Sequence, residues 1–110
     1  MNYQHKQLAS GRWAEMAFLE QMANIGSEIQ RAISWKSKNN KEYSDRAFER
    51  GLELLDLSIA DSKNKQRLRE LTRLREVLVD YFCFDNQFSS SDQLWQKYFY
   101  PFNYAARMHI

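Results

Sequence analysis

The residue types that most often carry chemistry are scarce in this sequence and poorly spaced for it. The two histidines, His5 and His109, stand within a few residues of opposite termini, where a chain is hard to hold in the fixed geometry of a general base or metal ligand. Cys83 is the single cysteine. It leaves no partner for an intramolecular disulfide and has no histidine nearby in sequence to take its proton, so it reads as a small packing side chain. There is no Glu-x-x-His pair of the type that binds metals in helical bundles, no glycine-rich phosphate loop and no Gly-x-Ser-x-Gly. The expectation is a protein that is not an enzyme, with no catalytic constellation, no cofactor, no metal and no evident small-molecule substrate.

Three other groupings could act through binding. The first is aromatic: six of the ten residues from Trp95 to Tyr104 carry rings, and the chain's one proline, Pro101, lies among them. On a helix beginning near Ser91, Leu94, Trp95, Tyr98, Phe99, Phe102 and Ala106 share a core-facing side. Tyr100 and Tyr104 fall on the other side with Gln96 and Arg107. Tyrosine and arginine are enriched at contacts between proteins, so these four residues are the expected interface, most simply a symmetric dimer.

The second grouping is basic. Lys63, Lys65, Arg67, Arg69, Arg73 and Arg75 face only Glu70 in the same stretch, although the whole chain has a formal charge of +2. Mixed charges at helical spacing usually form a solvated face, but Lys63, Lys65, Arg67, Arg69 and Arg73 are also the candidates for nucleic-acid phosphates. The third is a single residue. Arg75 falls between Leu71, Leu78 and Phe82 on a helical wheel, so its guanidinium is expected to be buried and to need an acid. Glu28 from the first helix, and Asp56 or Glu49 from the second, are the expected partners in a structural ion pair; the alternative is that Arg75 faces a groove and binds an anionic ligand.

The elements that must position these residues are helical. Three glycines and one proline in 110 residues are too few for a turn-rich sandwich or barrel. Apolar residues at steps of three or four mark a helix from about 11 to 37 (Ala14, Phe18, Met22, Ile25, Ile29, Ile33), capped by Ser10. A second spans about 41 to 60, capped by Asn40, with Tyr43, Ala47, Phe48, Leu52, Leu55 and Ile59 on its buried face. A third covers about 65 to 83, with Leu68, Leu71, Leu74, Leu78 and Phe82. Ser90 or Ser91 caps a fourth, which should kink at Pro101. The predicted fold is all-α: an up-and-down antiparallel bundle of three long helices and a shorter kinked C-terminal helix. It forms one domain over residues 10–110 behind a loose N-terminal arm, 1–9.

The stretches "GSEIQRAISWKSKNNKEYSDRAFERGLELLDLSI", "RLRELTRLREVLVDYF" and "WQKYFYPFNYAARM" resemble short prokaryotic all-helical proteins with no assigned activity. The bundle is also similar in shape to the HEPN superfamily. That superfamily's ribonucleases carry an arginine, then four to six residues, then a histidine, and neither histidine here has an arginine at that spacing. The resemblance therefore implies a fold and supplies no site residues. No segment has the apolar core of a signal peptide or the length of a membrane span, which gives a cytoplasmic expectation. The leading expectation is a non-catalytic interaction module, homo-oligomeric or the helical partner of a separate enzyme. The alternative is a nucleic-acid-binding accessory protein that uses the basic edge at 63–75.

Overall fold

The structure is a computed structural model that describes residues 11–108. Four α-helices account for most of these residues, and no strand occurs among them. They are α1 (Phe18–Ser37), α2 (Lys41–Ala60), α3 (Leu68–Cys83) and α4 (Asp92–Met108). Short 3-10 turns at Trp13–Glu15 and Ser62–Arg67 precede α1 and α3. Helix α1 is central: α2 and α4 pack against it, and α3 lies against α2. Met22, Ile25, Ile29 and Ile33 of α1 meet Ala47, Leu54 and Leu55 of α2, Leu71, Leu74 and Leu78 of α3, and Trp95 and Phe99 of α4 in one buried cluster.

The turn between α1 and α2 shows how few residues suffice to reverse the chain. Asn39 adopts a left-handed conformation (φ 60°), its N–H donates to the Lys36 carbonyl, and the Asn40 N–H donates to that of Trp35. This paired closure is the Schellman motif, with asparagine where glycine is commonest. The Asn40 side chain then accepts from the Tyr43 N–H at 3.1 Å and caps α2. Ser91 does the same for α4, its hydroxyl accepting from the Leu94 N–H at 3.1 Å.

Several expectations need correction. Helix α1 begins at Phe18 rather than near residue 11, because Met16 and Ala17 are extended (ψ 142° and 153°). Breaking the helix there lets Trp13 turn inward and bury its ring, which leaves Ala14 exposed. The fourth helix is not the short one: α4 has 17 residues and α3 has 16. Pro101 lies inside α4 and withholds a donor from the Lys97 carbonyl without ending the helix. Tyr43, Leu68 and Leu94, each placed on a buried stripe by periodicity, are exposed. Cys83 is exposed as well, at the last turn of α3, so it is not a packing residue. The N-terminal arm, the Ser10 cap and both histidines lie outside the described residues.

Candidate functional site

Helix α4 holds the aromatic stretch, and its phase divides the rings. Trp95 and Phe99 are buried against α1, and Tyr98 and Phe102 are half-buried beside them. The approach is close because α1 has Gly26 there: a Cβ at that position would lie 2.9 Å from Phe99 Cδ1. Tyr98 spans to α3, its hydroxyl 3.4 Å from Glu70 Oε1. Burial and then the Glu70 charge push its phenol up to about 12.

The opposite face of α4 has no partner among the described residues. Tyr100 and Tyr104 are 59% and 52% exposed, and they stack on each other with ring centroids 6.2 Å apart and planes 27° from parallel. Leu94, Lys97, Pro101 and Met108 are exposed on the same side, and Gln96 and Arg107 flank it. Stepping by three and four residues, Leu94, Lys97, Pro101, Tyr104 and Met108 form one helical stripe about 21 Å long. Neither Lys97 nor Arg107 has an ion pair among the described residues, and the face includes no acid.

The basic edge is largely spent on local partners. Lys63 pairs with Asp61 and donates to the Ala14 carbonyl at 3.2 Å. The Arg67 guanidinium lies 4.0 Å from the centre of the Phe18 ring. Arg73 reaches Glu76 at 3.4 Å and covers the Phe88 ring. Lys65 and Arg69 are exposed and have no ion pair among the described residues.

The ion-pair expectation for Arg75 changes in character. Arg75 Nε meets Asp56 Oδ1 at 2.7 Å, but the two side chains are 43% and 49% exposed, so the pair lies at the surface of the α2–α3 seam. Glu28 is the buried acid, and it is held instead by Arg31 at 2.6 Å and Arg50 at 2.9 Å. The helical wheel put Arg75 mid-stripe. A long arginine side chain can start on an apolar arc and still carry its guanidinium to water, and the 43% exposure of Arg75 shows that it does so here.

Two polar clusters escaped sequence reasoning. In the first, the Trp13 indole N–H donates to Ser58 Oγ at 2.9 Å, and the Gln21 amide donates to the Trp13 carbonyl at 3.0 Å and to Asp61 at 2.9 Å. Asn64 donates to Gln21 Oε1 at 2.8 Å and to the Ser58 carbonyl at 3.0 Å. The five residues of this network are all hydrogen-bonded, and they tie the N-terminal turn to the α2–α3 connection. Burial acts to raise the Asp61 carboxyl, but hydrogen bonds from Lys63 and Gln21 outweigh it and hold the group below the usual carboxylate range. In the second cluster, Lys36 donates to the Tyr81 hydroxyl at 3.0 Å, which in turn donates to Asp92. A cleft of about 340 Å³ beside it is lined by Lys36, Lys41, Ser44 and Tyr81. Burial works against the Lys36 charge, yet its bond to Tyr81 and the Asp92 carboxylate raise its pKa; the Lys41–Asp45 contact does the same for Lys41. Both amines stay protonated, the opposite of what a nucleophilic lysine requires.

No family model, curated protein or solved structure matches the chain. Among the described residues no group of three or more His, Cys, Asp or Glu side chains is placed to hold a metal ion, and no helix is long and apolar enough to cross a membrane.

Beyond α4, one loop shapes the surface. Asp80, buried at the end of α3, accepts from the Gln87 N–H at 2.9 Å and the Phe88 N–H at 3.1 Å. Asn86, itself left-handed (φ 54°), accepts from the Ser90 N–H and donates to the Ser90 carbonyl. These bonds fix the connection from α3 to α4 and leave Phe84 73% exposed.

Proposed function

We propose that this protein acts by binding rather than catalysis, as a homo-oligomeric interaction module whose contact surface is the outer face of α4. Its working form is a bundle with the four helices in up-and-down order, and a bend at Pro101 presents the last turns of α4. The single observation that supports this reading is the stacked, solvent-facing pair Tyr100 and Tyr104, of which Tyr104 lies on the stripe from Leu94 to Met108 and Tyr100 beside it. Apolar and aromatic area of this kind costs free energy in water, and stacking one ring on the other hides only part of it. Tyrosines with arginine nearby are the side chains that interfaces favour. Phosphate binding by the edge at 63–75 is the weaker reading, because three of its six cations, Lys63, Arg73 and Arg75, already meet carboxylates.

The test is the mass in solution. Light scattering should show the wild-type chain as an oligomer, and the double variant Tyr100→Ala, Tyr104→Ala as a folded monomer with unchanged helical circular dichroism. A wild-type monomer at all accessible concentrations, or a double variant that associates as the wild type does, would overturn the proposal.

A further inference from the structure

If α4 is the contact, its counterpart cannot be α4 of a second copy. The face carries Lys97 and Arg107, which have no ion pair among the described residues, and no acid lies between them. Two α4 helices packed lengthwise about Tyr100 and Tyr104 in antiparallel sense bring Lys97 of one copy against Arg107 of the other. Packed in parallel sense they set each cation against itself. Like charges facing each other across an interface cost several kcal/mol, so a two-fold α4–α4 contact selects against itself.

The same chain offers a surface of the opposite character. A groove of about 460 Å³ between α3 and the following loop is lined by Thr72, Glu76, Val79, Phe84, Asp85 and Phe88. Phe84 is the most exposed large apolar side chain among the described residues. The groove's basic member, Arg75, is engaged by Asp56, and Asp80 is engaged by the loop's own N–H groups. Arg73, over the Phe88 ring, is paired with Glu76, whereas Asp85 has no ion pair among the described residues, so the unpaired charge at this groove is negative. Its walls are pre-formed, because the Asp80 and Asn86 hydrogen bonds hold the loop that carries both phenylalanines.

We infer that the groove between Phe84 and Phe88 receives the outer face of α4 from a second copy, with Asp85 meeting Lys97 or Arg107. The inference rests on the proposed self-association and names its other half. The contact pairs two different patches, so two copies related by a two-fold axis make it twice. Doubling matters, since one helix face about 21 Å long covers less than the roughly 800 Å² per partner of a stable pair.

Complementary charge reversal tests this without touching the core. One variant carries Lys97→Glu and Arg107→Glu, giving an acidic face and an acidic groove. The other carries Asp85→Lys, giving a basic face and a basic groove. Each alone should dissociate about tenfold or more in Kd, and an equimolar mixture should recover the wild-type mass, because each face then meets a groove of opposite sign. Circular dichroism checks that both variants stay folded. If Asp85→Lys alone associates like the wild type while the Tyr100, Tyr104 double variant does not, α4 is the contact and the groove is not its counterpart. That result overturns the inference and leaves the proposed function standing. Failure of the mixture to recover the mass also overturns it, and a monomeric wild type overturns both.

Discussion

At the scale of single residues, Trp13 and Trp95 are a natural pair for comparison: they are 2% and 6% exposed, and both belong to the core. They differ in what the indole N–H finds. That of Trp13 donates to Ser58 Oγ at 2.9 Å. That of Trp95 is buried without an acceptor among the described residues, beside the rings of Tyr81, Tyr98 and Phe99. A buried donor with no acceptor carries a desolvation cost of about 1–3 kcal/mol, whereas a made hydrogen bond contributes about 1 kcal/mol. Replacement by phenylalanine removes similar volume at both sites, so the cavity cost is shared. Trp95→Phe should therefore lie within about 1 kcal/mol of the wild type, and Trp13→Phe should be less stable than Trp95→Phe by about 1–2 kcal/mol. Urea unfolding followed by circular dichroism measures both; equal losses would show that the two indole N–H groups are equivalent.

At the scale of elements, legibility depended on whether a boundary was set locally. The ends of α2 could be read because Asn40 caps one and the polar Asp61 turn closes the other, both by bonds to near neighbours. The start of α1 could not. Periodicity ran on through Ala14, but burying Trp13 against Ser58 decides the break at Met16 and Ala17, and that partner is distant in sequence. Phase along α4 was readable for Trp95 and Phe99 but misplaced Leu94, because α4 meets α1 through the side that carries Phe99 and Phe102, which leaves Leu94 outside. Charge pairing was the least legible: the arginines that hold Glu28 come from its own helix and from α2, and no spacing rule singles out Arg50. The groove at Phe84 and Phe88 was invisible for the same reason, since Asp80 builds it by turning its carboxylate onto loop N–H groups.

The α1–α4 contact yields its own prediction. A methyl at position 26 would lie 2.9 Å from Phe99 Cδ1 and 3.0 Å from both Cβ and Cγ, so the whole ring and its stem must shift. Overpacking costs about 1–3 kcal/mol, against a helix-propensity gain of about 1 kcal/mol for alanine over glycine. Gly26→Ala should thus destabilise by up to about 2 kcal/mol on that balance. Gly51→Ala is the control: its nearest neighbour is the terminal Cδ1 of Ile29 at 3.1 Å, which can rotate away. That variant should be close to neutral. A Gly26→Ala protein as stable as Gly51→Ala would mean that α4 does not sit this closely on α1.

At the scale of the whole molecule, shifted titrations at two separate seams act at opposite ends of the pH range. Asp61 belongs to the buried network below α1. Its carboxyl is held low, so its contribution is present above the ordinary value of about 3.9 and is lost as pH falls through the lower folded value. The seam between α3 and α4 governs the alkaline side. Burial and the Glu70 charge push the Tyr98 phenol up to about 12. Burial and the Asp92 hydrogen bond outweigh Lys36 and raise that of Tyr81. In the unfolded chain both phenols lose their protons near 10, so above that pH the folded state binds more protons than the unfolded state and stability falls as pH rises. For Tyr98 the loss runs from about 10 to about 12. Both phenols bridge α3 to α4, Tyr98 toward Glu70 and Tyr81 toward Asp92. Alkaline destabilisation should therefore loosen α4 first. Denaturant midpoints at pH 9 and pH 11.5 should drop for the wild type and drop less for Tyr98→Phe, which has no proton to lose. A residual slope should remain from Tyr81 and shrink further in the Tyr81→Phe, Tyr98→Phe double variant, where Lys41 and Cys83, whose pKa values are also raised, keep part of it. If Tyr98→Phe keeps the full wild-type slope, the phenol does not stay protonated at the seam and Glu70 does not face it.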